Sequence, residues 1–208
     1  MSDIISSQSD AIQLLSLRER KKQLVQTTIA ETALRLFQQQ GYEQTSIQDI
    51  AEAVMMSTRT FFRHFASKEE VLFGPTKATL TEGVHFLQHA APIETPRTAL
   101  KATLEYMANR YQQQRESFLI RYRVAVQTPS IASFYVYALL EGETTMSHAL
   151  YTRLENTANQ EEIDALVAIY MAAFRLALIA WLEHEAQQDL LSLLRKQLDI
   201  FSSLFRHI

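Results

Sequence analysis

No cysteine occurs in the 208 residues, and glycine and proline occur only four times each. Without a thiol there is no disulfide, no thiolate metal ligand and no cysteine nucleophile, and the chain suits a reducing cytoplasm. Turn-rich β folds consume glycine and proline, so their scarcity points to helices. No stretch approaches the ~20 uninterrupted apolar residues that span a bilayer, so no membrane partner is expected. The start, MSDIISSQSDAIQLLSL, lacks the basic region and apolar block of a secretory signal. Residues 1–16 read as a disordered arm. Glycine-rich phosphate loops, nucleophile elbows and HExxH are all missing, which removes the familiar signatures of an enzyme. No cofactor or metal is expected.

What is present is ordinary for a globular chain, 47% hydrophobic and 21% charged. The net charge of −3 conceals a division. Residues 16–68 hold eight Lys/Arg against five Asp/Glu, whereas residues 69–208 hold twelve against sixteen. A basic head on an acidic body suggests an anionic partner for the head.

Helical spacing of Val25, Ile29, Ala33, Leu36 and Phe37 predicts a helix over 17–40, stopped by Gly41, with Tyr42 folding back. Thr45 and Gln48 have capping-box spacing for a short helix with Ile47, Ile50 and Ala51 inward, ending near Val54. Ser57 is the expected cap of a third helix running to about Phe65. Ser67 and Glu70 form a second capping box, opening a fourth helix. One long helix and two short ones across a tight turn make a helix-turn-helix domain over 17–66. In the remainder, 67–208, helices are expected near 76–90, 96–114, 116–127, 130–155, 161–185 and 188–206. Gly74-Pro75 predicts a kink or break, a candidate hinge. The expected fold is all-α: an N-terminal three-helix DNA-binding domain and a C-terminal helical bundle.

The stretch TRTFFRHFASKEEVLF, residues 58–73, mixes rings and charges. On a helix Phe61 and Phe65 share an inward face, while Arg59 with Arg63, and Thr60 with His64, lie on others. Such a helix fits the major groove, where arginine grips guanine and hydroxyls reach phosphates or base edges. Arg18, Arg20, Lys21, Lys22, Thr45, Ser46, Ser57, Thr58 and Lys68 lie where they could reach the same backbone. The alternative is a surface helix whose charges are merely solvated.

The segment GYEQTSIQDIAEAVMMSTRTFFRHFASKEEVL, residues 41–72, resembles the N-terminal signature of the TetR family of bacterial transcriptional regulators. The resemblance implies a homodimer that binds a palindromic double-stranded DNA operator, usually represses, and is released by a small molecule. It implies that Ser57 to His64 read the groove and that Thr45, Thr60 and Lys68 touch phosphates. The chain departs from the family at two places. Val54-Met55-Met56-Ser57 stands for the usual Ala-Gly-Val-Ser, so Met55 must tolerate a positive φ if the turn is kept. Phe62 stands where many members have a phosphate-binding tyrosine.

Residues 161–185 are apolar on nearly every side, and the last helix is amphipathic. Either an intramolecular core or a second copy would cover them. The resemblance implies the second, a dimer interface using Ala172, Leu176, Ala180, Leu194, Leu198 and Phe201, with reading heads ~34 Å apart. Met107, Tyr111, Phe118, Tyr122, Phe134, Tyr137, Tyr170 and Phe174 suit either plain core or, as the resemblance implies, an effector pocket. Arg121, Arg123 and Arg175 form surface ion pairs, or one reaches the acidic part of an effector. RESFLIRYRVAVQTPSI, residues 115–131, resembles the mycofactocin-associated TetR subgroup, which implies an acyl-CoA-like effector. Two rivals stand beside this reading. One is a helical carrier without operator binding; the other is an enzyme using His85, His89 or His184.

Overall fold

The structure, a computed structural model, describes residues 17–89, 95–155 and 158–204; for residue 19 and residues 132–139 it describes the backbone alone. The expected arm and Phe205 lie outside the described residues, as do the side chains of Phe134 and Tyr137. The helices are α1 Leu17–Gln40, α2 Ile47–Ala53, α3 Thr58–Phe62, α4 Lys68–His89, α5 Pro96–Gln113, α6 Arg115–Val126, α7 Ala132–Arg153, α8 Gln160–Glu183 and α9 Leu190–Leu204. A single 3-10 turn, Pro129–Ile131, precedes α7. Among the described residues no strand occurs, and the fold is all-α. The chain forms two compact units that divide between Phe73 and Gly74.

In the first unit α1 buries Ile29, Ala33, Leu34 and Phe37. Leu34 takes the inward place expected of Leu36, which is half-buried. Gly41 ends the helix with φ +91° and donates from its amide to the Phe37 carbonyl at 3.0 Å. Positive φ carries no steric cost for glycine. Tyr42 then turns back, its ring 4.9 Å from that of Phe37.

The Gly74-Pro75 break does not occur, since α4 runs unbroken through Pro75. Proline inside a helix costs about 3 kcal/mol. Before it, Val71, Leu72 and Phe73 are buried; after it, Leu87 is. The Thr79 hydroxyl donates to the Pro75 carbonyl at 3.0 Å.

The second unit is built on α8, which packs chiefly against α9 and also against α7 and α5. By length and composition α8 would also suffice to cross a membrane, as core helices often do. Here Trp181 is fully buried and donates from Nε1 to the Gln188 carbonyl at 3.0 Å. Thr95 caps α5, accepting from the Thr98 amide at 3.1 Å, with Pro96 in the first turn where its missing N–H costs nothing. Gly83 lets α4 approach α5, because a Cβ there would lie 2.6 Å from the Met107 sulfur.

Leu194 and Leu198, expected at a dimer interface, are instead buried inside the protomer. The amphipathic stripe of α9 faces α8 and α5, so a second copy has no access to it. Leu194→Ala should therefore cost about 2–5 kcal/mol in urea unfolding. A loss below 1 kcal/mol would contradict this placement.

Candidate nucleic-acid interface

The turn between α2 and α3 positions the reading helix. Met55 occupies it with φ +55° and is 95% exposed. Its amide donates to the Glu52 carbonyl at 3.0 Å, and the Met56 amide to the Ala51 carbonyl at 2.9 Å. These bonds hold the left-handed turn although methionine replaces glycine. The cap of α2 differs from expectation. Ser46, not Thr45, is the N-cap, accepting from the Asp49 amide at 3.1 Å while Asp49 accepts from the Ser46 amide at 2.8 Å. The bond from the Ser46 amide, and after it the Ser46 hydroxyl, hold the Asp49 carboxyl below its ordinary pKa. Thr45 is 0% exposed; its hydroxyl donates to the Gly41 carbonyl at 2.8 Å and accepts from Gln40 Nε2 at 3.2 Å. It closes the end of α1 with its side chain buried.

Ser57 caps α3 as expected, accepting from the Thr60 amide at 3.1 Å, and its hydroxyl pairs with that of Thr60 at 2.9 Å. The helix is shorter than expected: Arg63 is already its C-cap, and the His64 and Phe65 amides both bond back to the Phe61 carbonyl. Phe61 is fully buried and touches the rings of Phe62 and Phe65 at 5.8 and 5.9 Å. That anchor leaves Ser57, Thr58, Arg59 and Arg63 exposed on one short element. Arg18, Lys22 and Ser46 are exposed as well, and Thr60 is half-buried.

Lys68, a predicted phosphate contact, also makes bonds within the fold. Lys68 Nζ donates to the Tyr42 carbonyl at 2.9 Å and to the Thr45 carbonyl at 2.8 Å, and lies 4.4 Å from the Tyr42 ring centre. Tyr42 in turn donates its hydroxyl to Glu69 Oε1 at 2.6 Å. Burial and this bond push the Tyr42 phenol well above its usual range. Burial would raise Glu69, but hydrogen bonds from Tyr42 and Ser67 hold it below its ordinary value. His64 is half-buried, and its Nδ1 has no partner. Burial, then the charges of Arg63 and Lys22, lower its pKa, which favours the neutral ring. The Ser46–Asp49 box was visible as an S-x-x-D pattern; the Lys68 clamp had no sequence signal.

In the second unit the expected pocket residues pack together. Tyr111 stacks on Phe118 at 4.1 Å and meets Phe174 edge-on at 5.8 Å, and Met107 is buried beside them. Tyr122 and Tyr170 pack around that core. Arg123 pairs with Glu185 and Arg175 with Glu143 at 3.8 Å, whereas Arg121 is buried. Ala172, Ala180 and Phe201 are half-buried, and Leu176 is 44% exposed. Sequence reasoning missed Ile179, Ile200 and Leu204, which are exposed on the same two helices as Leu176. His85 and His89 stack at 4.4 Å, and among the described residues no group of three metal-binding side chains forms.

The left-handed turn yields a test. A side chain in this conformation costs roughly 1–2 kcal/mol. Met55→Gly should raise unfolding stability by about 0.5–1 kcal/mol, the extra chain entropy of glycine taking back the rest. A loss of stability in denaturant titration would mean that the turn is relaxed with methionine.

Residues 29–73 match the family described as bacterial regulatory proteins, tetR family. Over 62 residues the chain is 53% identical to the HTH-type transcriptional regulator TcmR of Streptomyces glaucescens, covering 30% of this chain and 27% of that one. Over 115 residues it is 28% identical to MftR of Mycobacterium tuberculosis, named for mycofactocin biosynthesis, covering 55% and 58%. The chain thus spans about a quarter and just over half the length of these curated relatives. Among solved structures, FadR of Thermus thermophilus, a repressor in complex with lauroyl-CoA, is 20% identical with TM-score 0.52, covering 84% of this chain and 92% of that one. A transcriptional regulator of Aquifex aeolicus VF5 is 18% identical with TM-score 0.55, covering 86% and 98%. These two likenesses concern the fold. The family consists of transcriptional regulators, not enzymes. With their left-handed turn and basic, ring-anchored third helix, residues 29–73 match the DNA-binding region of the tetR family of bacterial regulatory proteins.

Proposed function

We propose that the chain is a cytoplasmic, ligand-responsive repressor that binds a palindromic DNA operator as a homodimer. The observation that carries this reading is α3, which Phe61 anchors from beneath while Thr58, Arg59 and Arg63 stand free above. A short helix so mounted can enter the major groove with its arginines toward base edges. Arg18, Lys22, Ser46 and Ser57 are the proposed neighbouring contacts. His64, neutral and half-buried, would serve as a shape contact rather than a cation. Lys68 would act from behind by holding the turn between α1 and α2.

A dimer has support in the exposed apolar side chains Leu176 and Ile179 on α8 and Ile200 and Leu204 on α9. Exposed residues of this kind on one unit suit burial against their twins. They replace Leu194 and Leu198 in the proposed interface, beside Ala172, Ala180 and Phe201. For the effector, the lauroyl-CoA held by FadR makes an amphipathic acyl compound the natural class to try. Met107, Tyr111, Phe118, Tyr122, Tyr170 and Phe174 would line its site, opening where they now touch.

Arg59→Ala should weaken operator binding by about 1–3 kcal/mol and relax preference at one base pair. Lys68→Met should lower stability by roughly 2 kcal/mol through its two lost charged hydrogen bonds. Equal affinity in wild type and Arg59→Ala would remove α3 from the groove. Leu176→Arg combined with Ile200→Glu should give a folded monomer in sedimentation, and a persisting dimer would exclude this face.

A further inference from the structure

On α6 the residues facing inward are Phe118, Arg121 and Val124, spaced three apart on one buried stripe. Arg121 is 7% exposed. Its Nη1 donates to the Ser117 carbonyl at 3.1 Å and also bonds the Ser117 hydroxyl. Its Nε has no acceptor. Among the described residues Arg110, Arg123, Arg175 and Arg195 each reach a carboxylate, whereas no ion pair involves Arg121. Burial lowers its pKa to about 10, which still leaves the guanidinium charged at neutral pH. A buried charge without a counter-ion is costly, and an apolar side chain would fit an inward stripe at lower cost. Ser117 supplies neutral acceptors only.

We propose that Arg121 is the anchor for the anionic head group of an otherwise apolar ligand, a carboxylate or a phosphate. The inference rests on the effector reading above and names the chemistry of that site. A guanidinium offers a planar fork that carboxylate and phosphate oxygens match in pairs. One turn before Arg121, Phe118 stacks on Tyr111, and Tyr111 meets Phe174. The charge therefore stands beside an aromatic cluster suited to an acyl chain. Binding would give the free Nε its acceptor and the charge its counter-ion, so an anion gains what a neutral analogue cannot.

The test is thermal unfolding of the full chain with dodecanoate, dodecyl phosphate or dodecan-1-ol, each below its micellar concentration. The expected result is a rise in Tm of several degrees with one or both anions and none with the alcohol; the stronger anion identifies the head group. Arg121→Met should raise the Tm of the ligand-free protein and abolish the anion response. The proposal is overturned if neither anion stabilises the protein or if the alcohol does so equally. It also fails if Arg121→Met retains the response or melts lower without ligand. Should that variant not fold, the comparison of anions with alcohol on the unaltered protein decides. Operator release is measured separately. An anion that stabilises without releasing DNA removes the effector reading and leaves the site. A neutral compound that releases DNA from wild type and Arg121→Met alike removes the site and leaves the effector reading.

Discussion

The ammonium of Lys68 is the constraint on which the reading head depends. It lies at the start of α4 and holds the carbonyls of Tyr42 and Thr45, which join α1 to α2. Tyr42 returns the tie by donating to Glu69, the next residue of α4. The cation thus spends two of its three donors inside the fold, and the ring beneath it adds a cation–π contact. Because α2 is fixed at its start, the turn at Met55 and the helix that follows inherit its orientation. Phe61 then fastens that helix to the core, and the arginines on its far side have a defined direction. Basic residues in one short stretch thus divide between structure and surface.

The second unit follows a different rule. Its centre is α8, whose Val167, Ala173, Ala177 and Trp181 are buried together. Small side chains let neighbouring helices come close, and one large indole fills the remaining space with its N–H satisfied. What remains outside is as informative as what is buried. Leu176, Ile179, Ile200 and Leu204 face outward. Apolar exposure and a buried arginine with no ion pair among the described residues are departures of this unit from simple core economy.

Much of the architecture was legible because helical spacing, Gly41 and Ser57 each carry a local physical signal. The positive φ of Met55 was expected only if the family turn were kept, and Met55 has it. Less legible were choices that depend on tertiary contact. Thr45 and Ser46 are chemically alike, and only the bond from Thr45 to Gly41 decides which becomes the cap. Pro75 signalled a break by its local cost, but α4 continues through it. Leu194 and Leu198 carried the right pattern for an interface, but periodicity cannot say whether the covering helix belongs to the same chain. Among the arginines, sequence left three open; geometry separated Arg121 from Arg123 and Arg175 by the carboxylates within reach.

The central claim is that two copies of this chain read DNA through α3. Selection of bound duplexes from a random library by the full-length protein tests it most directly. The account predicts convergence on a two-fold symmetric sequence whose binding weakens steeply with added salt, as phosphate contacts require. No enrichment, or binding indifferent to salt, would contradict it and leave a helical ligand carrier as the better description.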